Sequence, residues 1–313
     1  MMNPIDVQFS VVIPTYNRSH LVGRAIESAL QQTKAAVEII VVDDGSADET
    51  AQVVQAFGDR VRYVHQQNAG SARARDNGIR RAQSPWVALL DSDDAWVPAH
   101  LERMANAIAG TAGQANFYFA DTVEPPEKGG GDLWQVLGFQ IEGPYQLVAD
   151  GTAWVVCDGR QPMMLQSSVF KRSAYLAVGG FHPELRYRDD THLFMKLGIN
   201  GPVCAVAGCG VEMSGDDVPE NRLTLTYNVN RRLGSGMQIV MYRDLLTTID
   251  PLSNELRRRF LSRLATAHRS MARAAWKEGE WREALRHIRQ SFAVSPSESL
   301  RHLPSALLHP GKS

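Results

Sequence analysis

Four times in the first hundred residues a short apolar run rich in β-branched side chains stops at a polar loop, and a helical pattern follows. The runs are FSVVIP (Phe9 to Pro14), VEIIVVD (Val37 to Asp43), VRYVH (Val61 to His65) and WVALLD (Trp86 to Asp91), and their composition predicts buried strands. Between them Leu21, Val22, Ala25, Ile26, Ala29 and Leu30 recur at helical spacing, while DETAQVVQAF and SARARDNGIRRA supply two further helices. Alternation of this kind implies right-handed crossovers, so the expected class is α/β with a mainly parallel, Rossmann-like sheet flanked by helices. In such sheets ligands lie outside the carboxyl ends of the strands. The loops PTYNRS, DDGSAD, QQNAGSAR and DSDDAW follow the four strands and therefore share one edge.

Beyond Gly110 the pattern becomes irregular. EPPEKGGGDLW is a breaker-rich loop, a helix is expected to end at Gly179-Gly180, and another to begin in RDDTHLFMKLG with Leu193, Phe194 and Leu197 facing inward. After about Val218 the chain reads as helical. GEWREALRHIRQSFAVSP, Gly279 to Pro296, resembles the second helix of a tetratricopeptide repeat, but one copy is too few for a solenoid and predicts a helical hairpin. The expected division is 1–110, 111–218 and a helical C-terminal extension, 219–313.

With 44% hydrophobic and 21% charged residues and a net charge of -1, the 313-residue chain has the profile of a soluble globular protein and carries no whole-chain bias toward nucleic acid. Cys157, Cys204 and Cys209 form no CxxC pair, which fits a reducing compartment. No leader-like start and no apolar run near the roughly 18 to 20 residues of a bilayer span are present, so a cytoplasmic location is expected. Charge is uneven: residues 255–313 hold 12 Lys plus Arg against 5 Asp plus Glu, leaving -8 on the rest. Two readings stand, a solvated helix face or a contact with anionic lipid at the inner face of the membrane or with an acidic partner. The hairpin could equally join two copies as a homodimer.

Five segments in order, VVIPTYNR, VVDDGSAD, GSARARDNGI, LLDSDDAWVPAHL and GGFHPELRYRDDTHLFMKLG, together resemble the family 2 glycosyltransferases of the GT-A fold, over roughly Phe9 to Gly201. The resemblance implies transfer of a sugar from a nucleotide sugar with inversion at the anomeric carbon. Asp91-Ser92-Asp93 is similar to the family's DxD motif. It implies a divalent metal, Mn2+ or Mg2+, with Asp93 as the metal ligand and Asp91 and Ser92 on the donor; a hard cation with oxygen ligands would stabilise a diphosphate leaving group. Asp94 reads alternatively as the cap of a helix starting near Pro98. Pro14, Thr15, Tyr16 and Arg18 resemble the turn that contacts the base, with Thr15 and Ser46 also readable as turn and N-cap residues. Asp44 stands where the family accepts the imide N–H of uracil, which places uridine or thymidine diphosphate sugars ahead of guanosine, and Asp43 ends its strand. Arg73 and Arg75 open a helix on the same edge, and Arg73 is the preferred donor contact.

RDDTHLFMKL is similar to the family segment that supplies the general base, which puts that role on Asp190. His192 departs from the Asp common there and is either a helix-surface histidine or a second candidate base. Gly179-Gly180-Phe181 resembles a family turn, with His182 replacing its acid, and Trp134 and Trp154 read as packing residues. The acceptor implied is a hydroxyl on a glycan, a lipid-linked glycan or a protein. A nucleotidyltransferase would need a glycine-rich loop after the first strand, where PTYNRS has no glycine, and a dinucleotide oxidoreductase would need GxGxxG there. A non-catalytic scaffold would leave the carboxylates without a purpose.

Overall fold

The computed structural model describes residues 6–125, 130–214 and 230–301. They fall into two compact units, Met1–Pro183 with Leu193–Asp217 and Glu184–His192 with Val218–Ser313. The first unit opens with the expected alternation: β1 (Phe9–Thr15), α1 (Val22–Leu30), β2 (Glu38–Asp43), α2 (Thr50–Gln55), β3 (Arg62–His65), α3 (Ser71–Arg81) and β4 (Trp86–Leu89). These four strands pair in parallel in the order β3-β2-β1-β4. All seven residues of β1 are buried, as a central strand covered on both faces requires. By contrast every residue of β3 is exposed or half-buried, because it ends the strand order and has no neighbour on one side among the described residues. Its β-branched composition signals a strand but not which strand loses its cover.

Register brings the strand ends level. Thr15 lies opposite Asp43, and Asp43 opposite His65, so the loops that follow β1, β2 and β3 leave the sheet in one row. Helix α3 is pressed onto this half: a Cβ at Gly78 would meet Val12 Cγ1 at 2.3 Å, so only glycine lets the helix lie this close to β1.

The remaining elements of the sheet are β5 (Ala95–Trp96), β6 (Phe117–Glu124), β7 (Gly131–Asp132), β8 (Tyr145–Val148), β9 (Ser168–Lys171) and β10 (Val203–Glu212). They extend the order from β4 through β9, β6 and β10 to β5, with β7 added to β6 and β8 to β10. Here β9 runs antiparallel between β4 and β6, while β6 and β10 are parallel. The accompanying helices are α4 (His100–Gly110), α5 (Leu133–Leu137), α6 (Thr152–Val155), α7 (Arg172–Ala177) and, from Leu193 on, α8 (Asp189–Gly198), whose first residues belong to the second unit. Leu193, Phe194 and Leu197 of α8 are buried as the periodicity predicts. Trp134 and Trp154 pack edge-on against Phe139 and Phe119, and the Trp134 indole N–H donates to the Pro162 carbonyl at 2.7 Å, which accounts for both as packing residues.

His100 opens α4 inside this core, 1% exposed, with its ring 4.9 Å from Trp96 and neither ring nitrogen hydrogen-bonded among the described residues. Burial, helped by Arg103, drives its pKa down to about 3. A histidine depressed in the fold stabilises it above the unfolded value near 6.5 and loses that contribution as pH falls through the window down to about 3. Lowering the pH from 7 to 5 should therefore remove about 2 kcal/mol through this residue. Urea unfolding of the parent and of His100→Leu at both pH values checks it: the loss between pH 7 and 5 should shrink by about that amount in the variant. An unchanged loss would exclude His100 as the source.

The second unit is helical: α9 (Arg231–Thr248), α10 (Asn254–Lys277), α11 (Trp281–Val294) and α12 (Pro296–Arg301). Asn230 and Ser253 cap α9 and α10, their side chains accepting the N–H groups of Leu233 and Leu256. Leu256, Phe260, Leu264, His268, Met271 and Ala275 form the buried stripe of α10. At φ +80° Gly279 reverses the chain between α10 and α11, and Arg232 ties the corner by pairing with Glu278, Glu280 and Glu283. Trp276 and Trp281 remain about half exposed on either side of the turn.

Candidate active site

The turn after β1 is held by the turn after β2. Asn17, at φ +50°, accepts the Ala47 N–H on Oδ1 at 2.8 Å and donates its own N–H to Ser46 Oγ at 2.9 Å. The Arg18 N–H donates to Thr50 Oγ1 and the Ser19 N–H to Asp48. Burial works against the Asp48 charge, but hydrogen bonds from Thr50 and Ser19 outweigh it and hold the carboxyl at about 2. Ser46 therefore serves the turn and does not cap α2, whose N-cap position is Glu49. Tyr16 is 47% exposed beside these bonds, an aromatic face at the carboxyl edge of the sheet. Thr15 is buried beneath it, and its Oγ1 has no partner among the described residues.

Asp43 and Asp44 are both buried and divide their work. Asp43 accepts the Tyr63 hydroxyl at 2.7 Å and the Ser46 N–H at 2.8 Å, which makes it a structural end to β2. Asp44 takes three donors from the loop after β3: the Gln66 amide at 2.7 Å and the Ala69 N–H at 2.8 Å on Oδ1, and the Gly70 N–H at 2.7 Å on Oδ2. A carboxylate offers about four lone-pair positions, so three bonds leave room for one more donor. Gly45 makes this approach possible, since a Cβ there would meet the Asn68 nitrogen at 2.9 Å.

The loop Asp44 holds leads into α3, whose inward stripe is Ala72, Ala74, Arg75, Gly78 and Ile79. Arg75 reaches Asp91 Oδ1 at 2.5 Å, its side chain 10% and that of Asp91 25% exposed. Arg73, the residue favoured in the sequence, points to solvent. Its helical phase could have told them apart, because Arg75 lies three and four residues before Gly78 and Ile79 on the buried face and Arg73 does not. Beside the Arg75–Asp91 pair, Asp93 is half-buried and its carbonyl accepts from Arg24 at 2.8 Å, while Ser92 is buried. Asp94 does not cap α4, which begins after Ala99; its Oδ1 accepts the Ser214 N–H at 3.0 Å and anchors the end of β10. The described residues gather no group of three or more His, Cys, Asp or Glu able to cage an ion. The oxygen-only set of Asp91 and Asp93 suits a hard cation whose remaining ligands come from phosphate and water.

Further along the first unit, the Gly179-Gly180 turn has φ +77° and +67°, and the buried Tyr175 braces it. The Tyr175 hydroxyl donates to Asp76 Oδ1 at 2.8 Å and accepts the Phe181 N–H at 3.1 Å. Burial, then the Asp76 charge, pushes the Tyr175 pKa far up, so this hydroxyl keeps its proton. A Cβ at Gly180 would strike the same hydroxyl at 2.6 Å.

Asp190 lies in the other unit, in the first turn of α8, half-buried, with Oδ1 accepting the Thr191 N–H at 2.6 Å. His192 is not a helix-surface histidine. It is fully buried, and its Nε2 lies 2.7 Å from Asp244 Oδ2 on α9, which leaves no exposed imidazole to act as a base. Of the sequence candidates, Pro14, Thr15, Tyr16, Arg18, Asp44, Arg73, Asp91, Ser92 and Asp93 share the first unit and Asp190 does not.

Residues 10–157 match the family model described as glycosyl transferase family 2. The chain carries a family 2 glycosyltransferase domain. This domain contains the residues from Pro14 to Asp93 described above, and Asp190 lies beyond its matched end. Over 101 residues, 32% of this chain, it is 48% identical to the succinoglycan biosynthesis protein ExoO of Rhizobium meliloti, and the match covers 28% of that protein. The chain thus spans less than a third of the length of curated relatives it matches, falling to 17% in one from Rickettsia felis.

Among solved structures, TarS of S. aureus in complex with UDP-GlcNAc aligns with 96% of this chain and 90% of that one, at a TM-score of 0.63 and 16% identity. The mannosyltransferase PcManGT from Pyrobaculum calidifontis, in complex with GDP-Man and Mn2+, aligns with 98% of this chain and 84% of that one, at 0.54 and 20%. At these identities the likeness establishes the fold, which is GT-A.

Proposed function

We propose that the protein is an inverting, metal-dependent glycosyltransferase that moves a sugar from a nucleoside diphosphate sugar, with a UDP-sugar favoured, to an acceptor hydroxyl in polysaccharide, lipid-linked glycan or glycoconjugate biosynthesis. The observation that carries this reading is the Arg75–Asp91 pair just after β4, with Asp93 two residues on, at the end of a strand that pairs in parallel with β1. Residues 1–110 are assigned to the donor and 111–218 to the acceptor. Tyr16 offers a face for the base, Pro14, Thr15 and Arg18 line the same turn, and Asp44 keeps one lone pair for a base N–H. Arg75 neutralises Asp91 so that it can accept from donor hydroxyls, with Ser92 beside it, and Arg73 is available from solvent to an approaching phosphate. A divalent cation, Mn2+ or Mg2+, held by Asp93 and the donor's phosphates would neutralise charge on the leaving diphosphate. Asp190 takes the proton from the attacking hydroxyl.

That one structural neighbour holds UDP-GlcNAc and another GDP-Man with Mn2+ supports a nucleotide sugar with a cation, and it leaves the base to be tested. No described helix is long and apolar enough to cross a membrane. A cytoplasmic enzyme is proposed, peripheral at the inner face of the membrane through the basic C-terminal helices, with the same helices as the alternative site of a homodimer. The test of the proposal is nucleoside diphosphate release from a panel of UDP-, TDP- and GDP-sugars with Mn2+, Mg2+ or EDTA. Release of UDP that EDTA abolishes is expected; no release and no calorimetric binding with any donor would overturn the reading in favour of a non-catalytic partner-binding role.

A further inference from the structure

Resting on the assignment of Asp190 as the base, we infer that His192 and Asp244 are positioning residues that set the direction in which the Asp190 carboxylate points. The segment Glu184–His192 belongs to the same compact unit as the C-terminal helices. Two contacts tie it to α9: the Arg186 N–H points at Met237 Sδ at 3.5 Å, and His192, fully buried, meets Asp244 at 2.7 Å. Between them Arg188 turns the chain at φ +59°, and its carbonyl accepts the His192 N–H at 3.0 Å to close the first turn of α8.

Helix geometry converts this anchor into an orientation. Residues two apart on an α-helix project about 200° from each other, so a first turn fixed through His192 directs Asp190 to the opposite side. The bond from the Thr191 N–H to Asp190 Oδ1 then fixes the carboxylate itself. Asp244 is positioned in turn: its Oδ2 accepts the Thr248 hydroxyl at 3.3 Å, one helical turn on. A carboxylate–imidazole bond of this length in a buried setting is strong and directional, and an apolar pair of equal volume would fill the space without fixing the rotation of the turn. Misplacing a catalytic group by about 1 Å can cost on the order of 100-fold in rate.

The test compares His192→Phe, Asp244→Leu, the double variant, Asp244→Asn and Asp190→Asn in the full-length chain, each with the nucleotide sugar and cation that the panel selects. His192→Phe and Asp244→Leu should lower kcat by about 10- to 100-fold with donor KM within about threefold. The double variant should recover thermal stability but not kcat. Asp244→Asn retains an oxygen acceptor for the imidazole and should keep kcat within about threefold, and it remains informative if the single apolar variants fail to fold. Recovery of kcat in the double variant, or normal kcat in the singles while Asp190→Asn is inactive, would overturn the positioning role. An active Asp190→Asn would overturn the assignment of the base on which the inference rests.

Discussion

Asp190→Asn is expected to lower the rate of sugar transfer by about 10²- to 10⁴-fold while donor binding stays within about threefold of the parent. Asn preserves the size of the side chain and an oxygen for the Thr191 N–H, so the first turn of α8 should remain as it is. What it removes is the capacity, proposed for Asp190, to accept a proton from the attacking hydroxyl. Asp93→Ala should show the reverse separation, weakening donor binding in the presence of Mn2+ or Mg2+ and leaving the weaker metal-free binding unchanged. Calorimetric donor titrations with and without EDTA, run beside single-turnover rates, distinguish the two. Equal losses of binding and rate in both variants would argue that these carboxylates form one functional group rather than two.

Asp44→Ala should cost about 3–5 kcal/mol of stability, well beyond an ordinary surface change. Three donors, from Gln66, Ala69 and Gly70, converge on this buried carboxylate, and deleting it leaves all three without their acceptor. Water can enter and recover part of the loss, but the path from β3 into α3 would no longer be fixed. Asp43→Ala, which removes an acceptor from one hydroxyl and one N–H, should cost less. Urea midpoints at pH 7 measure both, and a shift below about 1 kcal/mol for Asp44→Ala would show that the loop has another anchor.

The half of the sheet built from β1 to β4 was legible because its strands are short runs rich in β-branched residues and each is followed by a polar loop at a fixed place. The far half was less so. β5 and β7 are two residues long, too short for a periodic signal, and β8 and β9 stand outside any regular strand–helix alternation, so their pairing with distant partners depends on contacts that no local pattern encodes. Arg75 shows where a finer reading was available, since the phase of α3 separates it from Arg73. His192 shows where it was not. Its place in a polar, charged stretch suggested solvent, and the carboxylate that buries it lies 52 positions along the chain. Asp44 is intermediate: its position after β2 marked it as important, but its three bonds to the next loop arise only once β3 lies beside β2.

Asp76, the neighbour of Arg75 on α3, receives the Tyr175 hydroxyl that also holds Phe181 behind the double-glycine turn. One helix therefore carries, on consecutive residues, the counter-charge for Asp91 and the support for a turn a hundred positions away in sequence. Substitutions at 75, 76, 91, 175 and 180 should consequently be inherited as a block. When segments are exchanged between relatives to alter specificity, a chimera that divides this set should lose more than the sum of its parts, and one that carries the set intact should tolerate changes elsewhere along the same edge.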